Sequence, residues 1–360
     1  MTGALAPTAL LAAIAVGSVA AAVSLRSAAW PRRSPAAAIL LWQALGLGWG
    51  LAAVGALVEP AIVAYRSGAA DSPLLIARRL VAGRITAGRG VVPEVPGVLW
   101  IASFAAGAAL LVTLCAVLIV ALVAVLSARR RQRELLALLA HGDPRLPGTL
   151  VVDHPTAAAY CVPGLRSKIV VSAGALSLLD RAELAAVLAH ERAHLRERHD
   201  LVLIPFTALL RAFPRSQVAT ASHRAVSLLV EMLADDRARR QRPARELATA
   251  LLRFGVAGAG PAPSGALAVS GPQASPQHTA TASPGPANAG HALHATGGEP
   301  AETEDVVASA ARSVSRCDVS ARVSRLLEPA PRLSMAAMAA VLASAAVLVV
   351  APVALVLLPT

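Results

Sequence analysis

The chain has 360 residues, of which 56% are hydrophobic and only 3% aromatic, and its mean hydropathy is +0.61. A soluble enzyme of this length would be more polar, so the composition excludes an ordinary water-soluble protein and indicates membrane insertion. The formal net charge is +12. The arginines stand next to apolar segments and do not alternate with aromatic residues, which argues against direct nucleic-acid binding and favours contact with the lipid bilayer.

Four apolar stretches are each long enough to cross about 30 Å of hydrocarbon, which takes roughly 20 helical residues. They cover residues 4–25, 35–58, 97–126 and 335–358. We interpret the first as a retained span and not as a signal peptide, because no Lys or Arg precedes its apolar run. The four spans predict a multi-pass protein of the cell membrane.

Arginine clusters predict which side of the membrane the polar part of the chain occupies. If the spans alternate, the arginines after the first and third spans and before the fourth share one side: Arg26, Arg32, Arg33, Arg129, Arg130, Arg131, Arg133, Arg325 and Arg332. The positive-inside rule assigns that side to the cytoplasm. The loop 66–96 opposes this orientation, because it also carries five arginines and would lie outside.

Composition changes divide the chain into five parts. We expect three spans with short loops over 1–128, a folded domain over 129–256, a linker over 257–304, the end of the cytoplasmic domain over 305–333 and the fourth span over 334–360. The linker is rich in Ala, Gly, Pro and Ser, which bury too little apolar surface to offset the entropy of ordering, so it is predicted to be disordered.

The polar domain is predicted to be mainly helical with a few short strands. The strand segments are 150–153, 157–162 and 168–172, and helices are expected at 131–139 and 216–240, with a turn at 142–144. Asp180 followed by Glu183 is typical of a capping box at the start of a further helix. The apolar segment 201–213 is too short to span a bilayer.

That capped helix carries the sequence His190, Glu191, Arg192, Ala193 and His194, which is an H-E-x-x-H motif. Residues four apart on a helix share one face, so both imidazoles can reach one zinc ion while the glutamate lies beside the water that zinc activates. Glu191 is then the general base, taking a proton from that water and returning it to the leaving amine of a peptide. The alternative interpretation is an exposed, charged helix end.

A catalytic zinc needs a third protein ligand. Glu231 is the best-placed acidic candidate, because it stands among apolar residues of a later helix, where a carboxylate requires a partner. One turn later, Asp235 can hydrogen-bond a ligand histidine from outside the first coordination shell. His199 is assigned either to this outer layer or to stabilising an oxyanion. The alternative for Glu231 and Asp235 is a solvated helix face, and Tyr160 and Cys161 are interpreted as strand residues, not ligands.

The region 151–239 resembles the BlaR/MecR-type membrane metallopeptidases of family M56, which are relatives of the heat-shock and CAAX-prenyl membrane proteases. The resemblance rests on three segments, AAAYCVPGLRSKIVVSAGAL from Ala157, ELAAVLAHERAHLRERHDL from Glu183 and EMLADDRA from Glu231. It implies an α+β zincin-like (gluzincin) protease domain in the cytoplasm behind four transmembrane helices, with zinc held by His190, His194 and Glu231. It also implies an edge strand at Ala158, Ala159 and Tyr160 that binds substrate by strand addition.

Two departures from that family limit what the resemblance implies. The best-known members carry a β-lactam-binding sensor domain after the fourth span, and we expect none here because the sequence stops at Thr360. Many relatives have Asp at the position of His199, whereas here Asp200 comes next.

We therefore predict a membrane-bound zinc endopeptidase that cleaves a regulatory protein, for which the resemblance suggests a transcriptional repressor. The alternatives are a membrane-protein quality-control protease, a catalytically silent signal transducer and a transporter, and the oligomeric state is not predicted. A transporter would need more ionisable residues inside its spans.

Overall fold

A computed structural model describes residues 2–66, 95–142, 146–164, 167–257, 317–328, 330–331 and 333–357. The predicted disordered linker, apart from Ala257, and most of the arginine-rich loop 66–96 lie outside the described residues. In chain order the helices are α1 (Thr2–Ser27), α2 (Pro35–Arg66), α3 (Val95–Leu139), α4 (Ala173–Leu178), α5 (Arg181–Glu197), α6 (His199–Val202), α7 (Ile204–Ala212), α8 (Gln217–Ala238), α9 (Ala244–Val256), α10 (317–327) and α11 (Met335–Leu357). The strands are β1 (Ala140–Gly142), β2 (Thr149–Val152), β3 (Ala159–Val162) and β4 (Lys168–Ser172).

The helices α1, α2, α3 and α11 are long and apolar enough to cross a membrane, which confirms the four predicted spans. Small residues let two of them approach closely. A Cβ atom on Gly48 in α2 would lie 2.7 Å from the carbonyl oxygen of Leu348 in α11. Close backbone contact of this kind is how helices associate in lipid, where the hydrophobic effect does not drive association.

The helix of the third span continues beyond the predicted end of that span at residue 126. α3 runs for 45 residues, about 67 Å at 1.5 Å per residue, so the predicted separate helix 131–139 and the domain boundary at 128 both fall inside it. No Gly or Pro interrupts residues 126–139, and Arg130 pairs with Glu134 one turn later, Nε to Oε1 at 3.1 Å. α3 therefore joins the span to the polar domain without a hinge.

The four strands form one sheet in the order β1-β2-β4-β3. β1 is antiparallel to β2, β2 is parallel to β4, and β3 is antiparallel to β4. The predicted strand 168–172 coincides with β4, and the predicted strands 150–153 and 157–162 are present as β2 and β3 with shifted ends. β1, which directly follows α3, was not predicted. β3 stands at one end of the order, so it is an edge strand of the described sheet.

α5, the helix with the H-E-x-x-H motif, begins at the predicted capping box. The Asp180 carboxylate accepts hydrogen bonds from the N–H groups of Ala182 and Glu183 at 2.9 and 2.8 Å, and the Glu183 carboxylate accepts one from the Asp180 N–H at 3.0 Å. The helix ends at Arg198, whose φ of +50° is in the left-handed region. This residue reverses the chain and turns His199 back toward the helix it has just left.

Two large hydrophobic cores hold most of these elements together, and a smaller cluster of Leu136, Val162 and Val170 joins α3 to the sheet. The first packs the sheet with α4, α5, α9 and α10, and the second joins α1 and α2 to α7 and α8. In the second core Trp42 of α2 meets Phe206 of α7 edge to face, with ring centroids 6.5 Å apart. The segment 201–213 is thus partly buried against the spans, through Ile204, Phe206, Thr207 and Ala208 of α7. Because α8 belongs to this core, the polar domain is packed directly on the spans.

Candidate metal centre

Two helices bring the predicted ligands together. α5 supplies His190 and His194, and α8 supplies Glu231 from the opposite side. The two histidine Nε2 atoms are 3.0 Å apart, and the Glu231 carboxylate oxygens lie 3.4 Å from His190 Nε2 and 3.6 Å from His194 Nε2. Both histidines are buried, and Glu231 is largely buried.

This donor set fits a zinc ion. One ligand atom from each of the three residues lies within 4.8 Å of the others. Four tetrahedral ligands at about 2.1 Å from zinc would be about 3.4 Å apart, close to the spacing of the three donors. Two imidazoles and one carboxylate are a usual protein set for catalytic zinc, which leaves the fourth position open.

The outer nitrogen of His194 faces a second histidine. The Nδ1 atoms of His194 and His199 are 3.1 Å apart, and Nε2 of His199 lies 3.2 Å from Glu197 Oε2. Burial and the neighbouring His194 lower the pKa of His199 to about 4, so its ring is neutral. A His194 ring that binds metal through Nε2 carries its proton on Nδ1, where it donates to His199, which in turn donates to Glu197.

Glu197 continues this chain of contacts, because its other carboxylate oxygen pairs with Nε of Arg237 on α8. Both nitrogens of His199 are therefore engaged with His194 and Glu197. These contacts favour the predicted role of His199 beside a ligand histidine over its alternative role at an oxyanion, although both remain predictions.

The outer nitrogen of His190 faces a carboxylate. Nδ1 of His190 lies 2.9 Å from Oδ1 of Asp235, although the contact is bent away from a linear hydrogen bond. Burial alone would lower the pKa of His190, but Asp235 and Glu231 outweigh it and raise the pKa to about 9. Without metal, this ring is protonated near neutral pH, so a metal ion must displace a proton to bind there.

Asp235 is in turn held by an arginine that sequence reasoning missed. Arg322 of α10 donates from Nε to Asp235 Oδ2 at 2.8 Å and from Nη2 to Oδ1 at 2.7 Å, and its Nη1 lies 3.1 Å from Glu231 Oε2. Burial would raise the pKa of Asp235, but Arg322 and His190 lower it to about 2. The pKa of Glu231 also falls well below its usual value, because His194 and Arg322 outweigh the effect of burial.

A signal for Arg322 exists in the sequence. Val319, Val323 and Leu326 recur at helical spacing, and Arg322 and Arg325 stand between them, which is typical of an amphipathic helix. On α8, the adjacent carboxylates Asp235 and Asp236 match the charges of Arg322 and Arg325. Arg325 donates to Asp236 at 2.9 and 2.7 Å, so two neighbouring arginine–carboxylate pairs fasten α10 to α8.

Glu191, the predicted general base, is 3% exposed and lies beside the ligand pair. Burial raises its pKa, although His190 and His194 act in the opposite direction. The Cys161 side chain of β3 lies near Glu191, and burial together with this carboxylate raises the pKa of the thiol. Cys161 is a strand residue as predicted, yet it also lines the site next to the base.

The edge strand β3 presents only part of the predicted backbone to a substrate. The Ser172 N–H donates to the Ala158 carbonyl at 2.9 Å, which directs the backbone of Ala158 toward β4. Backbone groups alternate along an antiparallel pair, so Tyr160 also faces β4, whereas Ala159 and Cys161 face the open edge. Of the three predicted residues, Ala159 alone is oriented for strand addition.

Asp200, the residue after His199, pairs with Arg129 of α3 and so connects α6 to the long helix. His223 contacts Thr207 Oγ1 at 3.4 Å, and the side chain of His154 accepts from the Thr156 N–H at 3.2 Å. Both histidines thus have contacts outside the cluster of His190, His194 and Glu231.

A sequence profile of peptidase family M48 matches residues 126–234, which run from α3 through most of α8. This match covers less than half of the chain and includes His190, His194 and Glu231. It supports a zinc metallopeptidase, whereas the finer assignment to the BlaR/MecR-type family M56 is not confirmed. Searches of curated proteins and of solved structures returned no match.

Proposed function

We propose that this chain is a membrane-anchored zinc endopeptidase with His190, His194 and Glu231 as ligands and Glu191 as general base. One observation carries the proposal. The three donors converge with zinc-like spacing while the outer nitrogen of each imidazole meets a partner, Asp235 for His190 and His199 for His194. Such outer partners fix the tautomer and orientation of ligand histidines.

Bound zinc supplies a Lewis acid that makes water more acidic and polarises a peptide carbonyl. Glu191 accepts the proton of the attacking water and passes it to the nitrogen of the leaving amine. Its buried carboxylate suits this task, because a raised pKa brings a carboxylate closer to neutral pH, where it can both take and return a proton. Asp235 and His199 keep the two imidazoles in place throughout.

The substrate we propose is an extended protein segment that adds to the open edge of β3. Ala159 and Cys161 would exchange backbone hydrogen bonds with it, and their side of the strand passes next to Glu191. Within the cell we propose a regulatory substrate on the cytoplasmic side, with a transcriptional repressor as one candidate. The arginines beside the spans support that side.

Metal content and proteolysis test the enzyme proposal together. Purified protein is expected to hold about one zinc per chain and to cleave an unfolded protein such as casein. Glu191→Gln should abolish cleavage and keep the zinc, while the matched control Glu134→Gln, 63% exposed on α3, should change neither. A folded protein without zinc affinity, or an active Glu191→Gln variant, would contradict the proposal.

A separate experiment addresses the substrate. Glu191→Gln protein produced in cells should retain bound substrate segments, which crosslinking and mass spectrometry would identify. Wild-type protein, which releases its products, is the control. If only misfolded membrane proteins are captured and no regulatory protein is, the quality-control alternative replaces the regulatory one.

A further inference from the structure

A basic cavity of about 460 Å³ lies where the first span meets the polar domain. Arg26 lines it from the last turn of α1, and Arg215 and Arg224 line it from the loop before α8 and from α8 itself. The opposite wall contributes Asp318 of α10. The cavity is separate from the metal centre, and none of these residues belongs to the proposed catalytic machinery.

The positive charge of the cavity exceeds its negative charge. Arg26, Arg215 and Arg224 are exposed, and none of them forms an ion pair or side-chain hydrogen bond with another residue in the described ranges. Three arginines face one carboxylate, Asp318, so the cavity carries a net positive charge. An arginine cluster of this kind is suited to bind phosphate oxygens, because guanidinium groups match them in geometry as well as in charge.

The position of the cavity indicates the source of the phosphate. The first candidate span ends at Ser27, so Arg26 stands at the depth of the lipid headgroups. Ala221, Ala225 and Leu228 provide an apolar floor on α8 beneath the arginines. Basic cavities at the ends of transmembrane helices are sites for anionic headgroups.

We propose that this cavity binds the headgroup of an anionic phospholipid. The arginines would hold its phosphate, the apolar floor would contact its glycerol backbone, and Asp318 would accept a hydrogen bond from a headgroup hydroxyl. Asp318 and Arg322 are one turn apart on α10. An occupant of the cavity therefore touches the same helix that holds Asp235 beside the metal centre.

Lipid binding to the full-length protein tests this site. Protein in detergent micelles would be titrated with phosphatidylglycerol or with phosphatidylcholine of the same acyl chains, and bound lipid counted by native mass spectrometry. We expect tighter binding of phosphatidylglycerol, weakened about fivefold by Arg215→Gln or Arg224→Gln, since each basic residue near a membrane contributes about that factor. Arg224→Lys, which keeps the charge, should retain most of the binding.

The matched control is Arg33→Gln, which removes an exposed arginine at the same end of α1 but outside the cavity. It should leave phosphatidylglycerol binding unchanged. Equal binding of the two lipids would overturn the proposal. So would a loss of phosphatidylglycerol binding in Arg33→Gln as large as that in Arg215→Gln or Arg224→Gln. So would displacement of the lipid by inorganic phosphate at the same concentration, or arginine-dependent binding of an acidic peptide in place of the lipid.

Discussion

Arg322 and Asp235 form a buried bidentate ion pair although they are 87 positions apart in the sequence. Asp235 is in turn 2.9 Å from His190, so a helix near the end of the chain supports a ligand of the candidate metal centre. The pair lies in the interior, with side chains 5% and 1% exposed. Removing one member of such a pair leaves a charge that the interior cannot solvate.

Arg322→Gln should therefore lower the free energy of unfolding by about 3 kcal/mol, because it leaves Asp235 buried without its cation. Arg325→Gln is the matched control on the same helix. Its pair with Asp236 is more exposed, and its loss should cost about 1 kcal/mol or less. Thermal unfolding followed by circular dichroism compares the two variants. Equal losses of unfolding free energy would contradict the prediction that the more buried ion pair stabilises the fold more.

His199→Ala should weaken zinc binding by about 10- to 100-fold, because it removes the partner that orients His194. Competition with a chelator of known affinity measures the change. His199→Asn should restore part of the affinity, since its side-chain oxygen can accept the hydrogen bond of His194. His223→Ala, which removes a histidine outside the site, should bind zinc normally. Unchanged affinity in His199→Ala would exclude a positioning role.

Arg198→Gly should stabilise the fold by up to about 1 kcal/mol, because glycine adopts a positive φ without the steric cost that Arg198 carries. The control Arg196→Gly places glycine within the last turn of α5, where it should destabilise by a similar amount. Opposite shifts in the unfolding midpoint are expected. If Arg198→Gly lowers the midpoint, the contacts of the arginine side chain stabilise the fold by more than the positive φ destabilises it.

Gly174→Ala should destabilise by about 1–3 kcal/mol, because the added Cβ would clash with the carbonyl oxygen of Pro155. The backbone there must yield, and the segment that leads into β3 would move. Gly142→Ala, whose Cβ meets nothing within 4 Å, should be neutral or slightly stabilising. Unfolding midpoints and zinc affinity of both variants test whether this close approach also positions the site.

Local signals were enough to predict the core of the site. The capping box at Asp180 and the four-residue spacing of the histidines each depend on residues of one helix. The start of α5, and the position of His190 and His194 on one face of it, could therefore be predicted from the sequence. Glu231 followed from its apolar surroundings. The spans followed from length and hydropathy, which depend on no tertiary contact.

Contacts between distant segments could not be predicted in the same way. Arg322 reaches Asp235 only because α10 folds back on α8, and nothing within either helix specifies that partner. The orientation of His199 depends on a single left-handed residue, Arg198, which residue preferences would not select. The direction of the Ala158 backbone depends on the register between β3 and β4. A shift by one residue would turn the backbone of Ala158 to the open edge and that of Ala159 toward β4.

The docking of α10 also bears on how the protein is made. Translation produces both histidines, Glu231 and Asp235 well before Arg322, so a nascent chain contains the carboxylates without the cation that stabilises them. The helix that carries this cation, α10, is made shortly before α11. Asp235 and Glu231 therefore gain their buried cation only once α10 has been made and has docked on α8.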